Sequence, residues 1–144
     1  MEKDLLLEKE FNTKYNTLPE KMLELPYEIL IKCVKAAKGE ESGGDTDDML
    51  CKVYAYGGND SIKILGELMQ EVYKTTGDMQ RLKLVSYYLI LATQLKYDII
   101  GIRSNPGGFY KMKIVVYESF RSVIDNFHNE IVEKLELEDF LKIK

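Results

Sequence analysis

Apolar residues recur along this chain mostly at spacings of three and four, the pattern of amphipathic helices with one buried stripe. Leu7, Phe11 and Tyr15 fall at i, i+4 and i+8 and predict a first helix over 2–15. Pro19 and Pro26 interrupt the next apolar stretch. Proline is comfortable in a first turn and costly in a helix interior, so the pattern predicts a short turn at 19–24 and a helix over 26–38. Ile29, Leu30, Cys33, Val34 and Ala37 line one face of that helix, and Gly39 is placed to end it. Asp45 or Thr46 then caps a helix running to Tyr56, stopped by Gly57 and Gly58. Asn59 or Asp60 caps the next, with Ile62, Leu65, Met69, Val72 and Tyr73 on its inner face and Gly77 at its end.

From Asp78 to about Tyr97 the pattern changes. Residues 84–95 carry no charge and are apolar nearly all round, which marks a helix surrounded by others at the centre of a bundle. The last long helix shows a seam at Tyr117, Phe120, Ile124, Phe127 and Ile131, alternating spacings of three and four. A short helical tail is expected within 136–144.

Residues 98–117 fit two descriptions. Ser104-Asn105-Pro106-Gly107-Gly108 is strong turn chemistry between arms rich in β-branched and aromatic residues, as in a β-hairpin. Alternatively, Asn105 or Gly108 caps a helix beginning near 109. The expected fold is therefore mainly α: one irregular bundle of about five to six helices spanning 1–144 as a single domain, with a β-hairpin near 98–117 as the open alternative. No segment recurs at a fixed period, which argues against a solenoid.

Composition bounds the partners. The net charge of −4 argues against an electrostatic grip on nucleic acid or anionic lipid. That charge is unevenly spread: residues 1–50 hold 7 basic and 12 acidic side chains, while 51–100 hold 6 and 5, and 101–144 hold 7 and 7. The acidity peaks between Glu40 and Asp48. The 12-residue uncharged stretch at 84–95 is well short of the roughly 20 residues a membrane span needs. The opening Met1-Glu2-Lys3-Asp4-Leu5 does not read as a targeting peptide, so an intracellular protein is expected, or a virion component in a phage setting.

Candidate chemistry is sparse. His128 is the only imidazole, with no serine elbow and no second histidine to support it, so it is expected at the edge of the seam or facing solvent. Cys33 and Cys51 lack a CxxC spacing or a histidine partner and read as small apolar residues on helix faces. Asp45, Asp47 and Asp48 begin the alternating acids of a cation loop but run straight into a helix, so they read as a solvated cap. The three Gly-Gly pairs match no phosphate-binding pattern. No metal or cofactor is expected.

What remains is contact. Arg103, Phe109 and Tyr110 flank the glycine turn and form an aromatic–arginine tip suited to docking. Asp45, Asp47 and Asp48 form a second candidate surface for a protein partner. By elimination the sequence points to a non-enzymatic protein-interaction subunit of a larger assembly, homo- or hetero-oligomeric, for which a virion or mobile-element structural role is one setting. The alternative is a stand-alone inhibitor, immunity or regulatory protein that covers a basic target with its acidic first third. A small carboxylate-based enzyme is the third reading.

Overall fold

The computed structural model describes residues 20–40, 46–74, 78–113 and 117–144, so the helix expected over 2–15, Asp45 and Gly77 lie outside the described residues. Among the described residues six α-helices follow one another: α1 (Glu20–Ala37), α2 (Thr46–Tyr56), α3 (Asn59–Val72), α4 (Asp78–Ile100), α5 (Gly107–Lys113) and α6 (Tyr117–Lys134). A 3-10 turn at Asp139–Leu141 ends the sequence of elements, and no strand occurs among the described residues.

The uncharged stretch does what its pattern requires. Every residue from Val85 to Leu95 is buried, and α4 is covered by α1, α3, α6 and the 3-10 turn, while α2 bridges α1 and α3. Leu25, Ile29 and Cys33 reach α4 from α1, and Ile64, Leu65, Leu68 and Met69 from α3. Ile124, Ile131, Val132, Leu135 and Leu141 close the remaining side. Each fully buried aliphatic side chain of this kind contributes about 1.5–3 kcal/mol relative to exposure.

Three local expectations are corrected. The helix expected from 26 begins at Glu20 and carries Pro26 inside it. An interior proline removes one backbone donor and crowds the carbonyl four residues back, at a cost of about 3 kcal/mol. Pro26 is itself buried beside Leu25 and Ile29, so burial of its ring offsets part of that cost. On α3 the inward residues are Ser61, Ile64, Leu65, Leu68 and Met69, whereas Val72 and Tyr73 of the expected face stand in solvent. On α6, Ile124 and Ile131 of the seam are buried, whereas Phe120 is exposed and Phe127 half-buried, because the buried face turns toward His128, Val132 and Leu135; the Tyr117 side chain lies outside the described ones.

The hairpin reading also fails among the described residues. Residues 98–100 complete α4, which ends at Gly101 in the left-handed region (φ 82), its N–H bonded to the Tyr97 carbonyl at 2.8 Å. The turn chemistry at 104–108 starts a helix instead: Asn105 Oδ1 accepts from the Gly107 N–H at 2.9 Å, the first donor of α5. Ile99 is wholly buried as a continuation of α4, whereas an isolated two-stranded hairpin would have no sheet to join.

Helix α1 stops where the sequence places its stop. Gly39 (φ 73) donates to Ala36 O at 3.1 Å and Glu40 donates to Lys35 O at 2.9 Å, the paired bonds of a Schellman ending. At the α2–α3 corner glycine serves space rather than φ. A Cβ on Gly57 would lie 2.7 Å from Val53 O, 2.9 Å from Ser61 Cβ and 3.1 Å from a Leu95 methyl. Gly66, in the middle of α3, would meet nothing within 4 Å. Gly57→Ala is therefore expected to destabilise the protein by about 1–3 kcal/mol, and Gly66→Ala to stabilise it by about 0.5–1 kcal/mol. Urea denaturation of the two variants should give shifts of opposite sign.

Candidate functional site

The residues singled out by sequence do not form one site. Tyr110, expected at an exposed tip, is 1 % exposed. A helix turns about 100° per residue, so α5 separates Phe109 from Tyr110 and sends Tyr110 into the core. Phe109 is half-buried against the same core. Arg103 is exposed but occupied elsewhere. Its guanidinium lies 4.5 Å above the Tyr97 ring and 6.0 Å from that of Phe140, donates to the Tyr97 hydroxyl at 2.9 Å, and approaches Glu138 at 3.8 Å. It fastens the 101–106 connection to the C-terminal turn. Asp47 and Asp48 are exposed in the first turn of α2, and Lys52 bonds Asp48 at 3.0 Å and Glu28 of α1 at 3.1 Å. Part of the acidic cluster is thus tied into an α1–α2 ion network.

His128 departs furthest from expectation. It is fully buried, and both ring nitrogens are engaged. Nε2 lies 2.6 Å from the Leu141 carbonyl oxygen, Nδ1 lies 2.8 Å from the Tyr110 hydroxyl, and that hydroxyl lies 2.8 Å from Ser86 Oγ. A carbonyl only accepts, so Nε2 carries the proton and Nδ1 accepts from Tyr110 in the neutral ring. Tyr110 has one proton to give, so Ser86 donates to it. Burial pushes the imidazole down from 6.5 to about 4, only partly opposed by the Leu141 carbonyl and Asp125. At neutral pH this is an uncharged chain of hydrogen bonds joining α4, α5, α6 and the C-terminal turn.

Asp98, which the sequence did not flag, organises a second polar cluster. Its Oδ2 accepts from the Gly58 N–H at 2.8 Å and from Ser61 Oγ at 2.5 Å, and its Oδ1 accepts from Gln94 Nε2 at 2.9 Å. Gly58 is the N-cap residue of α3 and has no capping side chain. The carboxylate from α4 takes that role in place of the Asn59 or Asp60 expected from the sequence. The one available signal was an acid ending a long apolar helix.

The thiols differ. Cys33 is buried, its Sγ 3.4 Å from the Val85 carbonyl, and burial pushes the thiol up to about 12. Cys51 is exposed on the surface of α2. A cavity of about 230 Å³ lies where α5, α6 and the C-terminal residues meet, with Lys111, Glu118, Arg121 and Lys144 on its wall. Ligand pockets commonly measure about 300–1,000 Å³. Among the described residues no three His, Cys, Asp or Glu side chains converge as metal ligands, and no helix is long and apolar enough to cross a membrane.

Two substitutions test these assignments by thermal or urea unfolding. Tyr110→Ala should cost about 3–5 kcal/mol, the range for emptying a buried aromatic site. Asp98→Ala should cost about 1–3 kcal/mol, since it strips the cap of α3 and leaves Gln94 Nε2 without its acceptor. Compared with known protein families, with curated proteins and with solved structures, the chain shows no match in any of the three.

Proposed function

We propose that this chain is a non-enzymatic, protein-binding subunit of a larger assembly that works inside the cell. The carrying observation is the seam of α6, which runs out of the core into water. Ile124 and Ile131 of that seam are buried, yet Phe120 is 51 % exposed, its neighbour Val123 40 %, and Met112 of the adjoining α5 82 %. Scattered exposed apolar residues are ordinary on a monomer. A buried helical stripe that continues outward in Phe and Val is the pattern of a surface completed by another chain.

The polar chemistry supports the same reading. The single imidazole is sealed inside a hydrogen-bonded chain and the Cys33 thiol is held protonated. Among the described residues Glu118 is the one carboxylate side chain on the wall of the α5–α6 cavity, whereas a carboxylate-based enzyme would place two acids together.

Light scattering after size exclusion tests the proposal on the purified chain and on a native-host extract carrying a tagged copy. A defined multimer or stoichiometric complex is expected. The double variant Phe120→Asp/Val123→Asp should dissolve it while shifting unfolding by no more than about 0.5 kcal/mol, as surface changes do. A monomer in both settings, or a complex indifferent to the double variant, would overturn the proposal.

A further inference from the structure

The nine residues after Leu135 fold back over the ends of α4 and α6 as a strap. The reversal occurs at Glu136, which holds a left-handed φ of 54 while its N–H bonds Glu133 O at 3.1 Å and that of Leu137 bonds Val132 O at 3.0 Å. Leu141 is then fully buried. Asn129 holds both backbone groups of Ile143, donating to its carbonyl at 3.0 Å and accepting from its N–H at 2.8 Å. Asn105 donates to Lys142 O at 3.2 Å. Two ion pairs complete the attachment, Arg103–Glu138 at 3.8 Å and Lys142–Glu133 at 3.3 Å, and a third, Lys144–Asp139 at 2.7 Å, closes the strap on itself.

We propose that this strap is an acid-released latch, held closed by neutral His128 beneath it and lifted when that ring is protonated. The geometry concentrates acid-sensitive contacts here. The chain's sole imidazole lies directly under Leu141, and each of those three ion pairs depends on a carboxylate. Facing the ring, α4 presents Ser86, α5 presents Tyr110 and the strap presents a carbonyl. Lys83 of α4 lies over the adjoining Phe127 ring, 5.7 Å from its centroid. Asp139 and Lys142 flank Leu141 on the strap and are engaged by Lys144 and Glu133. Among the described residues Asp125 is the carboxylate whose field reaches the imidazole, and Arg121 already binds it at 3.5 Å.

Protonation need not break the hydrogen-bonded chain. Nδ1–H can donate to the Tyr110 oxygen, and the tyrosine proton then turns to Ser86. What remains is a buried cation without a free counter-ion, which is costly until water reaches it. Of the segments facing the ring, the strap alone lies outside the α-helices, so lifting it breaks no α-helical turn and is the cheapest relief. Because the folded imidazole is depressed to about 4 from 6.5, closure is fully favoured above 6.5 and is lost progressively as pH falls toward about 4. On the strap itself, Lys144 holds the Asp139 carboxyl below the usual carboxylate range.

Hydrogen exchange on the full chain, corrected for intrinsic rates, tests this latch. Between about pH 6.5 and 4.5 the amides of 137–144 should lose protection about tenfold or more while those of α1, α3 and α4 stay protected. His128→Gln keeps a donor toward Leu141 but cannot gain charge, and should flatten that loss. Tyr110→Phe takes a hydrogen bond from the closed ring, weakens closure, and should move release upward by about half a pH unit or more. Loss of protection by strap and α4 at one pH, release of the Gln variant at the wild-type pH, or no shift in the Phe variant would each overturn the proposal.

Discussion

A helix with no polar side cannot rest on a surface, and α4 imposes that constraint on everything around it. Its buried residues from Val85 to Leu95 must be covered on every flank, so α1, α3, α6 and the C-terminal turn are required together. Apolar burial of this kind is strong but has little directional preference. Direction comes from the few polar groups α4 carries. Ser86 meets Tyr110, and through it His128, on one side, while Asp98, held by Gln94, meets the start of α3 on another. Thr93 is satisfied within the helix by Leu89 O at 2.7 Å. Gln94 Oε1 alone among the buried side-chain polar atoms of the described residues has no hydrogen-bond partner, so the α3 side of the core is not fully satisfied.

The legible parts of this fold were those written in local pattern. The uncharged run at 84–95 announced a central helix, and Gly39 and Gly57 announced ends that the backbone then used. Misreadings arose where a local rule met a distant partner. Pro26 carries a helix-breaking cost that burial of its own ring helps to offset. The turn residues at 104–108 suit a hairpin as well as a helix start, and only the buried continuation through Ile99 decides between them. Tyr110 and His128 looked exposed because their partners, Ser86 and the Leu141 carbonyl, lie 24 and 13 residues away. No periodicity records such pairings.

The buried polar groups and the exposed apolar ones divide the labour. Inside, histidine, tyrosine, serine and aspartate set the register between helices. Outside, Phe120, Val123 and Met112 stand exposed. The expected tip around Arg103 dissolves on the same logic: a guanidinium stacked on Tyr97 and held by Glu138 is committed to joining two parts of its own chain.

The cap of α3 bears on the order of assembly. Gly58 and its helix start receive their carboxylate from Asp98, 40 residues further along. An isolated stretch containing α3 would begin with its first amides unanswered, and an isolated turn of helix is already slow to nucleate. During synthesis α3 therefore gains its full stability only after the far end of α4 has emerged and docked. The start of α3 and the end of α4 thus complete each other across 40 residues of chain.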